Sequence, residues 1–435
     1  MPLLASPTSA PAFPLGPGSP SRPPNGAVGP RQDDVDATRA FVLLLGVVFH
    51  ASLSFHPMFM GWAVQDVSTS PWIAAFVTLS HAFRMETFFL LAGLLGHRAV
   101  QRKNAMTFLR SRLSRLGVPF VAGWFVLRPL LVSGWILGSA SLRGAADPLA
   151  ALRGGWASLG TFPAGAFTGT HLWFLYYLCG ATAFVLGLRG LARASGGLRT
   201  RWQPRLDAGV RWLASSAWAP LAAALPAACL LLAMRGWGMD TPDRSLLPDL
   251  PVFAVYAGYF ALGWLLGRCP VAWNAFANPT PARGCWFVLG AAAVLVLGPF
   301  EGDPGHERHR LFRFAHALGY SVVMFTAVSL TFGIWRRICT RPRAWVRYLA
   351  DASYWLYLVH LPIVVWLQVA VAELPVGWMP KLALISAATL ILGLLSYDAF
   401  VRSTRLGKLL HGRRHDRILF PWLRRFPGFA VAPTR

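Results

Sequence analysis

The sequence predicts an all-α polytopic membrane helix bundle of about ten transmembrane helices, and three observations carry that prediction. Hydrophobic residues make up 55% of the 435 residues and charged residues only 13%, where a soluble domain carries about 25% charged residues. The apolar residues gather into ten runs, each near the roughly 20 residues that cross a bilayer. The basic residues fall in blocks between those runs. This composition excludes a string of soluble domains, a disordered or collagen-like chain and a secreted disulfide scaffold. Lipid leaves an open strand edge unsatisfied, so the spans must be helices.

Residues 1–36 are rich in Pro, Gly, Ser and Ala and lack the compact apolar region of a signal peptide. They read as a disordered cytoplasmic tail. The ten runs follow at 37–57, 72–97, 116–139, 169–189, 216–234, 250–267, 284–300, 313–335, 348–372 and 380–401, giving a transmembrane domain over 37–402 and a basic cytoplasmic tail over 403–435.

The connections fix the orientation. The one after span two holds Arg98, Arg102, Lys103, Arg110, Arg112 and Arg115. The one after span four holds Arg189, Arg193, Arg199, Arg201, Arg205 and Arg211. The one after span eight holds Arg336, Arg337, Arg341, Arg343 and Arg347. The alternate connections are poorer, with Arg143 and Arg153, then Arg235 and Arg244, then Arg308 and Arg310. The positive-inside rule therefore predicts both termini in the cytoplasm of a multi-pass inner (plasma) membrane protein. The net charge of +24 then reflects orientation beside an anionic lipid bilayer, and no nucleic-acid partner is expected. The five cysteines form no C-x-x-C pair, so neither a disulfide framework nor a zinc site is expected.

An ionisable group inside a span is costly and is a functional candidate by default. Span one carries Arg39 and, eleven residues on, His50. Eleven residues of helix rise about 16 Å and make close to three turns, so both side chains project from one face. Arg39 lies at the cytoplasmic rim, suited either to snorkelling or to holding phosphate or carboxylate. His50 lies past mid-membrane, suited either to an interhelical hydrogen bond or to taking a proton from a hydroxyl.

Span two carries His81, Arg84 and Glu86. Arg84 near mid-depth calls for a partner on another helix or a wet cavity, and His81 is one turn away. Arg128 of span three either snorkels or faces inward. His171 opens span four at the outer interface among Trp173, Tyr176 and Tyr177, which an aromatic belt explains better than it explains the histidine. In span nine, Ser353, Tyr357 and His360 share a helical face, and Pro362 would kink or open the helix. Polar groups at several depths predict a cavity through the bundle. A transporter of an anionic metabolite with a mid-membrane site is the alternative, although no inverted repeat is visible.

Arg39-x10-His50, His81-Ala-Phe-Arg84-Met, His171-Leu-Trp-Phe-Leu and Ser353-Tyr-Trp-Leu-Tyr357-Leu-Val-His360-Leu-Pro362 together resemble the motifs of the membrane acyltransferase-3 family, over about residues 33–415. The set is most similar to the branch that succinylates envelope glucans. The resemblance implies an O-acyltransferase that moves an acyl group, succinyl or acetyl, from cytosolic acyl-CoA to a hydroxyl of an extracytoplasmic glycan. Acyl-CoA is then a donor substrate, with no bound cofactor and no metal. By residue match His50 is the catalytic histidine and Arg39 its motif partner. Arg84, His171 and His360 match further motif positions, and His81, Glu86 and Tyr357 join them as supporting groups of the polar cavity. Glu86 departs from the pattern, standing where a neutral residue is expected. Arg84 and Tyr357 are the candidates for stabilising an oxyanion.

Overall fold

A computed structural model of the protein describes residues 33–102, 104–160, 170–412 and 414–420. Within these residues the regular structure is entirely helical. The first half of the chain forms α1 (Asp33–Ser52), α2 (Pro71–Arg102), α3 (Ala105–Arg112), α4 (Val118–Ser141), α5 (Pro148–Ala157), α6 (Trp173–Ala194), α7 (Gly196–Ser215) and α8 (Ala219–Leu232). The second forms α9 (Leu250–Arg268), α10 (Pro270–Phe276), α11 (Pro281–Leu297), α12 (His309–Ile338), α13 (Ala344–Val371), α14 (Trp378–Ser396) and α15 (Arg405–His411).

Each of the ten expected runs carries a helix. Among the described residues, eight helical segments are long and apolar enough to cross a membrane, or nine if the bent pair 200–215 and 219–232 is one span. The helix α2 falls outside that set on polarity, since its 32 residues exceed a crossing but include His81, Arg84 and Glu86. The helix α8 has 14 residues, fewer than the predicted fifth span. It stops where the Asp240 carboxylate accepts the N–H groups of Arg235 and Gly236 in the following loop, and it meets the preceding segment at 108°.

The first turn of α1 holds Asp33, Asp34 and Asp36, acids that suit the positive end of the helix dipole. The last four residues of the predicted amino-terminal tail are thus helical, while 1–32 lie outside the described residues. The predicted carboxyl-terminal tail is also structured at its start. The buried Asp398 carboxylate accepts backbone N–H groups from Ile418, Leu419 and Phe420 at 3.0, 2.9 and 3.0 Å. Residues 421–435 lie outside the described residues.

Chain entry into several helices follows local chemistry. Asp249 and Thr280 accept N–H groups of the first turns of α9 and α11, each followed by proline within two positions. In the interior α1 packs against α13, α2 and α12, and α12 is the most buried of the spans.

The closest pairing joins α2 to α9. A methyl group at Gly93 would overlap the Phe260 carbonyl, and one at Gly263 would overlap the Leu90 carbonyl. Both helices therefore need glycine at the crossing, the usual way for membrane helices to gain dispersion contact where lipid is as apolar as the partner. Gly263→Val should separate them and lower stability by about 1–3 kcal/mol or more, read as the apparent Tm in detergent. Gly258→Ala, on the same helix with open space around it, should leave Tm near wild type.

Candidate functional site

A large cavity of about 1710 Å³ gathers most of the polar residues expected in the spans: His50, His81, Arg84, His171, Tyr357 and His360 all line it. Its wall continues into the loops around 56–62, 236–244 and 298–302, so it lies toward the end of the bundle remote from Arg39.

Four chain segments bring the imidazoles together. His50 sits in the last turn of α1, His81 on α2, His171 in a 3-10 turn over Thr170–Leu172 before α6, and His360 on α13. The His50 and His360 rings lie 5.2 Å apart between centroids, and the His171 and His360 rings 6.0 Å apart. His81 stacks on Phe49 at 5.6 Å and contacts the Tyr320 hydroxyl through Nδ1 at 3.1 Å.

Pro362 explains how His171 is held. The helix α13 continues through Pro362 rather than opening there, but proline has no N–H to donate to the carbonyl four residues earlier. That carbonyl, Leu358, accepts instead from His171 Nε2 at 2.9 Å. Tyr357 completes the lock by donating its hydroxyl to the His171 carbonyl at 2.7 Å. His360 directs Nδ1 at the Tyr357 carbonyl, 2.8 Å away. A carbonyl only accepts, so Nε2 of His171 and Nδ1 of His360 carry the protons. The opposite nitrogens, Nδ1 of His171 and Nε2 of His360, then hold the basic lone pairs of the neutral rings.

Arg84 places its Cζ 3.8 Å above the Phe49 ring, beside His50. It makes no ion pair among the described residues, and its buried Nη1 has no hydrogen-bond partner there. Of the two expectations for Arg84, a partner on another helix or a cavity, the structure places it on the cavity wall. Glu86 is fully buried but lines no part of the cavity, and neither carboxylate oxygen has a partner among the described residues. Its electrostatic neighbours are Arg84, Tyr256, Tyr259 and Tyr320. Arg128 is buried elsewhere, donating to the Ser158 hydroxyl at 3.1 Å and lying over Trp124.

Arg39 also stands apart from the cavity. It donates to the Ala350 carbonyl at 2.6 Å and pairs with Asp36 at 3.3 Å, joining α1 to α13 at the opposite end. The sequence motif thus spans two regions, with Arg39 in one and His50 in the other.

Three features of the site escape a search for ionisable groups within spans. Gln368 of α13 donates to the carbonyls of His50 and Ala51 at 2.9 and 3.1 Å. Trp62, in the loop after α1, stacks on His50 at 6.0 Å. Below that loop Lys381 donates to Asp66 at 2.7 Å and to the Ala372 carbonyl at 3.1 Å, with both charged side chains almost wholly buried. Gln368 is neutral, Trp62 and Asp66 are in a loop, and Lys381 resembles an interfacial anchor. The available signal is an amide inside an apolar helix.

The residues of this cavity lie within a larger match. A family model described as an acyltransferase domain, acyltransferase 3, covers residues 32–398. The chain belongs to the acyltransferase-3 family. This acyltransferase is similar to the curated protein glucans biosynthesis protein C from Salmonella agona (strain SL483) and to that from Salmonella gallinarum (strain 287/91 / NCTC 13346). Each is 24% identical over 405 residues, covering 88% of this chain and 95% of the relative. No solved structure matches. The family resemblance seen in the motifs is therefore established, and with it a multi-pass membrane acyltransferase.

The Asp66–Lys381 pair pins the loop that walls the cavity. Lys381→Met should leave Asp66 buried without its cation and destabilise the acyltransferase by about 3–5 kcal/mol. The double variant Asp66→Leu/Lys381→Met, which buries no lone charge, should be more stable than the single one. Thermal unfolding in detergent measures both.

Proposed function

We propose that this acyltransferase is an inner-membrane O-acyltransferase, taking an acyl group from cytosolic acyl-CoA and passing it to a hydroxyl of an envelope glycan on the outer side. The observation that carries the reading is the cavity, where His50, His171 and His360 meet a guanidinium without an ion pair, at the end of the bundle away from Arg39.

The orientation follows from charge. Arg347 pairs with Asp33 at 3.1 Å, so the arginine-rich connection after α12 shares an end with the start of α1. The positive-inside rule would put that end in the cytosol, with both termini, and the cavity loops outside. A glycan would then meet His50 from the outer face. The glucans biosynthesis proteins among the relatives support a glucan as the acceptor to test first, with acetyl-CoA and succinyl-CoA as donors.

In the proposed step, the His50 imidazole takes the proton of the glycan hydroxyl as its oxygen bonds to the thioester carbonyl carbon. The C–S bond then breaks, and the proton passes from the imidazole to the departing CoA thiolate. Arg84 is placed to stabilise the negative oxygen formed in between. Tyr357 is the poorer candidate for that role, because its hydroxyl is already committed to the His171 carbonyl. An acyl-histidine route would use the same nitrogen as nucleophile, and a trapped acylated peptide containing residue 50 would reveal it by mass.

The deciding experiment incubates purified protein in detergent with each donor and a glucan, wild type beside His50→Ala. Thiol release and acylated glycan are followed together. His50→Ala should abolish transfer while leaving membrane insertion and Tm intact; full turnover by the variant would remove His50 from the mechanism. A transporter would consume no thioester at all. Arg39→Ala should raise KM for the acyl-CoA several-fold and leave KM for the glycan unchanged. Equal loss on both would make Arg39 a brace between α1 and α13.

A further inference from the structure

We propose that Gln368 and Trp62 act together as positioning residues for the His50 imidazole, an inference that rests on His50 being the base in the reading above. The two residues and His50 form a closed circuit. Gln368 Nε2 donates to the carbonyls of His50 and Ala51 at 2.9 and 3.1 Å. Gln368 Oε1 accepts from the Trp62 indole N–H at 2.8 Å. The Trp62 ring lies back over the His50 ring, 6.0 Å between centroids and 19° between planes. The amide orientation is not arbitrary, because carbonyls only accept and an indole N–H only donates.

The circuit sits where the backbone most needs help. The helix α1 ends at Ser52, followed by a 3-10 turn over Leu53–Phe55. The last four carbonyls of a helix lack intrahelical partners, and lipid offers none. The Phe49 carbonyl accepts from the Ser52 hydroxyl at 2.7 Å, and those of His50 and Ala51 accept from Gln368. A cap alone would need only the carboxamide nitrogen. The oxygen of the same amide instead reaches across to the loop, and the loop returns an aromatic face to the histidine.

The loop is itself held. Asp66 and Ser70 donate their N–H groups to the carbonyls of Ser54 and Phe55 at 2.8 and 3.0 Å, and the Asp66 side chain is paired with Lys381. Trp62 also meets Trp135 edge-on at 5.0 Å. The imidazole is thus fixed from its own backbone and from one ring face, while His360 lies 5.2 Å away.

The test measures kcat, both KM values and Tm for wild type, His50→Ala, Gln368→Leu, Trp62→Phe and the double variant Gln368→Leu/Trp62→Phe. Rates are normalised to folded protein. Gln368→Leu removes both hydrogen-bonding ends with little change in volume. Trp62→Phe keeps a stacking ring but removes the indole N–H. Each single variant should lower kcat by up to about 100-fold, the scale of a catalytic group displaced by an ångström, with both KM values within about twofold of wild type. The double variant should lose little more than the worse single one, because both changes break one circuit. A Gln368→Leu protein that fails to fold leaves the conservative loop change Trp62→Phe to carry the test. Wild-type kcat in the folded variants, or fully additive losses, would overturn the positioning role while an inactive His50→Ala keeps the base assignment. Turnover by His50→Ala would overturn both.

Discussion

A buried carbonyl that loses its helical partner must find another donor, and much of this site is organised around three such carbonyls. Leu358 is released by Pro362, and His50 and Ala51 are released by the end of α1. Each is answered by a side chain that belongs to the site or holds it: His171 for Leu358, Gln368 for the other two. The cost of leaving a buried acceptor unmade exceeds the gain from making it. These contacts therefore stabilise the folded protein, and the one to Leu358 fixes the His171 ring. A proline in span nine is in this sense a ligand-presenting device. It weakens one helix by a single hydrogen bond and uses the open carbonyl to seat a histidine from another segment.

Burial also sets apart two groups of α2, Arg84 and Glu86, which influence each other electrostatically but face different surroundings. Arg84 and Glu86 are two residues apart and form no ion pair with each other among the described residues. Arg84 lies on the cavity wall over Phe49, where the face of an aromatic ring offers a cation partial compensation and the cavity can offer more. Glu86 is turned into protein among tyrosines, away from solvent. A cation kept at the edge of a polar cavity is available to a developing negative charge. A carboxyl group buried beyond its wall is not. Glu86 therefore bears on the packing of α2 against its neighbours more directly than on the cavity wall.

The sequence made the bundle legible because hydropathy and charge are properties of segments, and each of the ten segments holds a helix. It also made legible six of the cavity residues, since an ionisable or imidazole group within an apolar run stands out without knowledge of its neighbours. Three things were not legible for the same reason. The placing of Arg39 at one end of α1 and His50 some 16 Å away was read from helical rise, but only packing against α13 shows that Arg39 meets the Ala350 carbonyl. Glu86 has the depth expected of a cavity group but the wrong direction around the helix. Gln368, Trp62 and the Asp66–Lys381 pair depend on a loop folding back onto the bundle, and such contacts join residues about 300 apart in sequence, beyond the reach of any local period.

The division of α1 has a consequence for how transfer would be arranged. Arg39 and His50 are on one rigid element, with an ion-paired guanidinium at one end and an imidazole on a cavity wall at the other. A reaction whose two substrates approach from opposite faces needs one carbonyl carbon and one hydroxyl oxygen within about 3–3.5 Å at a single point. The hydroxyl can reach His50 through the loops that line the cavity. A thioester arriving from the end of Arg39, as proposed, would meet the contact of Arg39 with the Ala350 carbonyl. That contact braces α1 against α13 at the end where Arg39 also pairs with Asp36. The anchors of the histidines on Leu358, Tyr357 and Gln368 belong to the cavity end, so the two ends of α1 are held by separate sets of contacts.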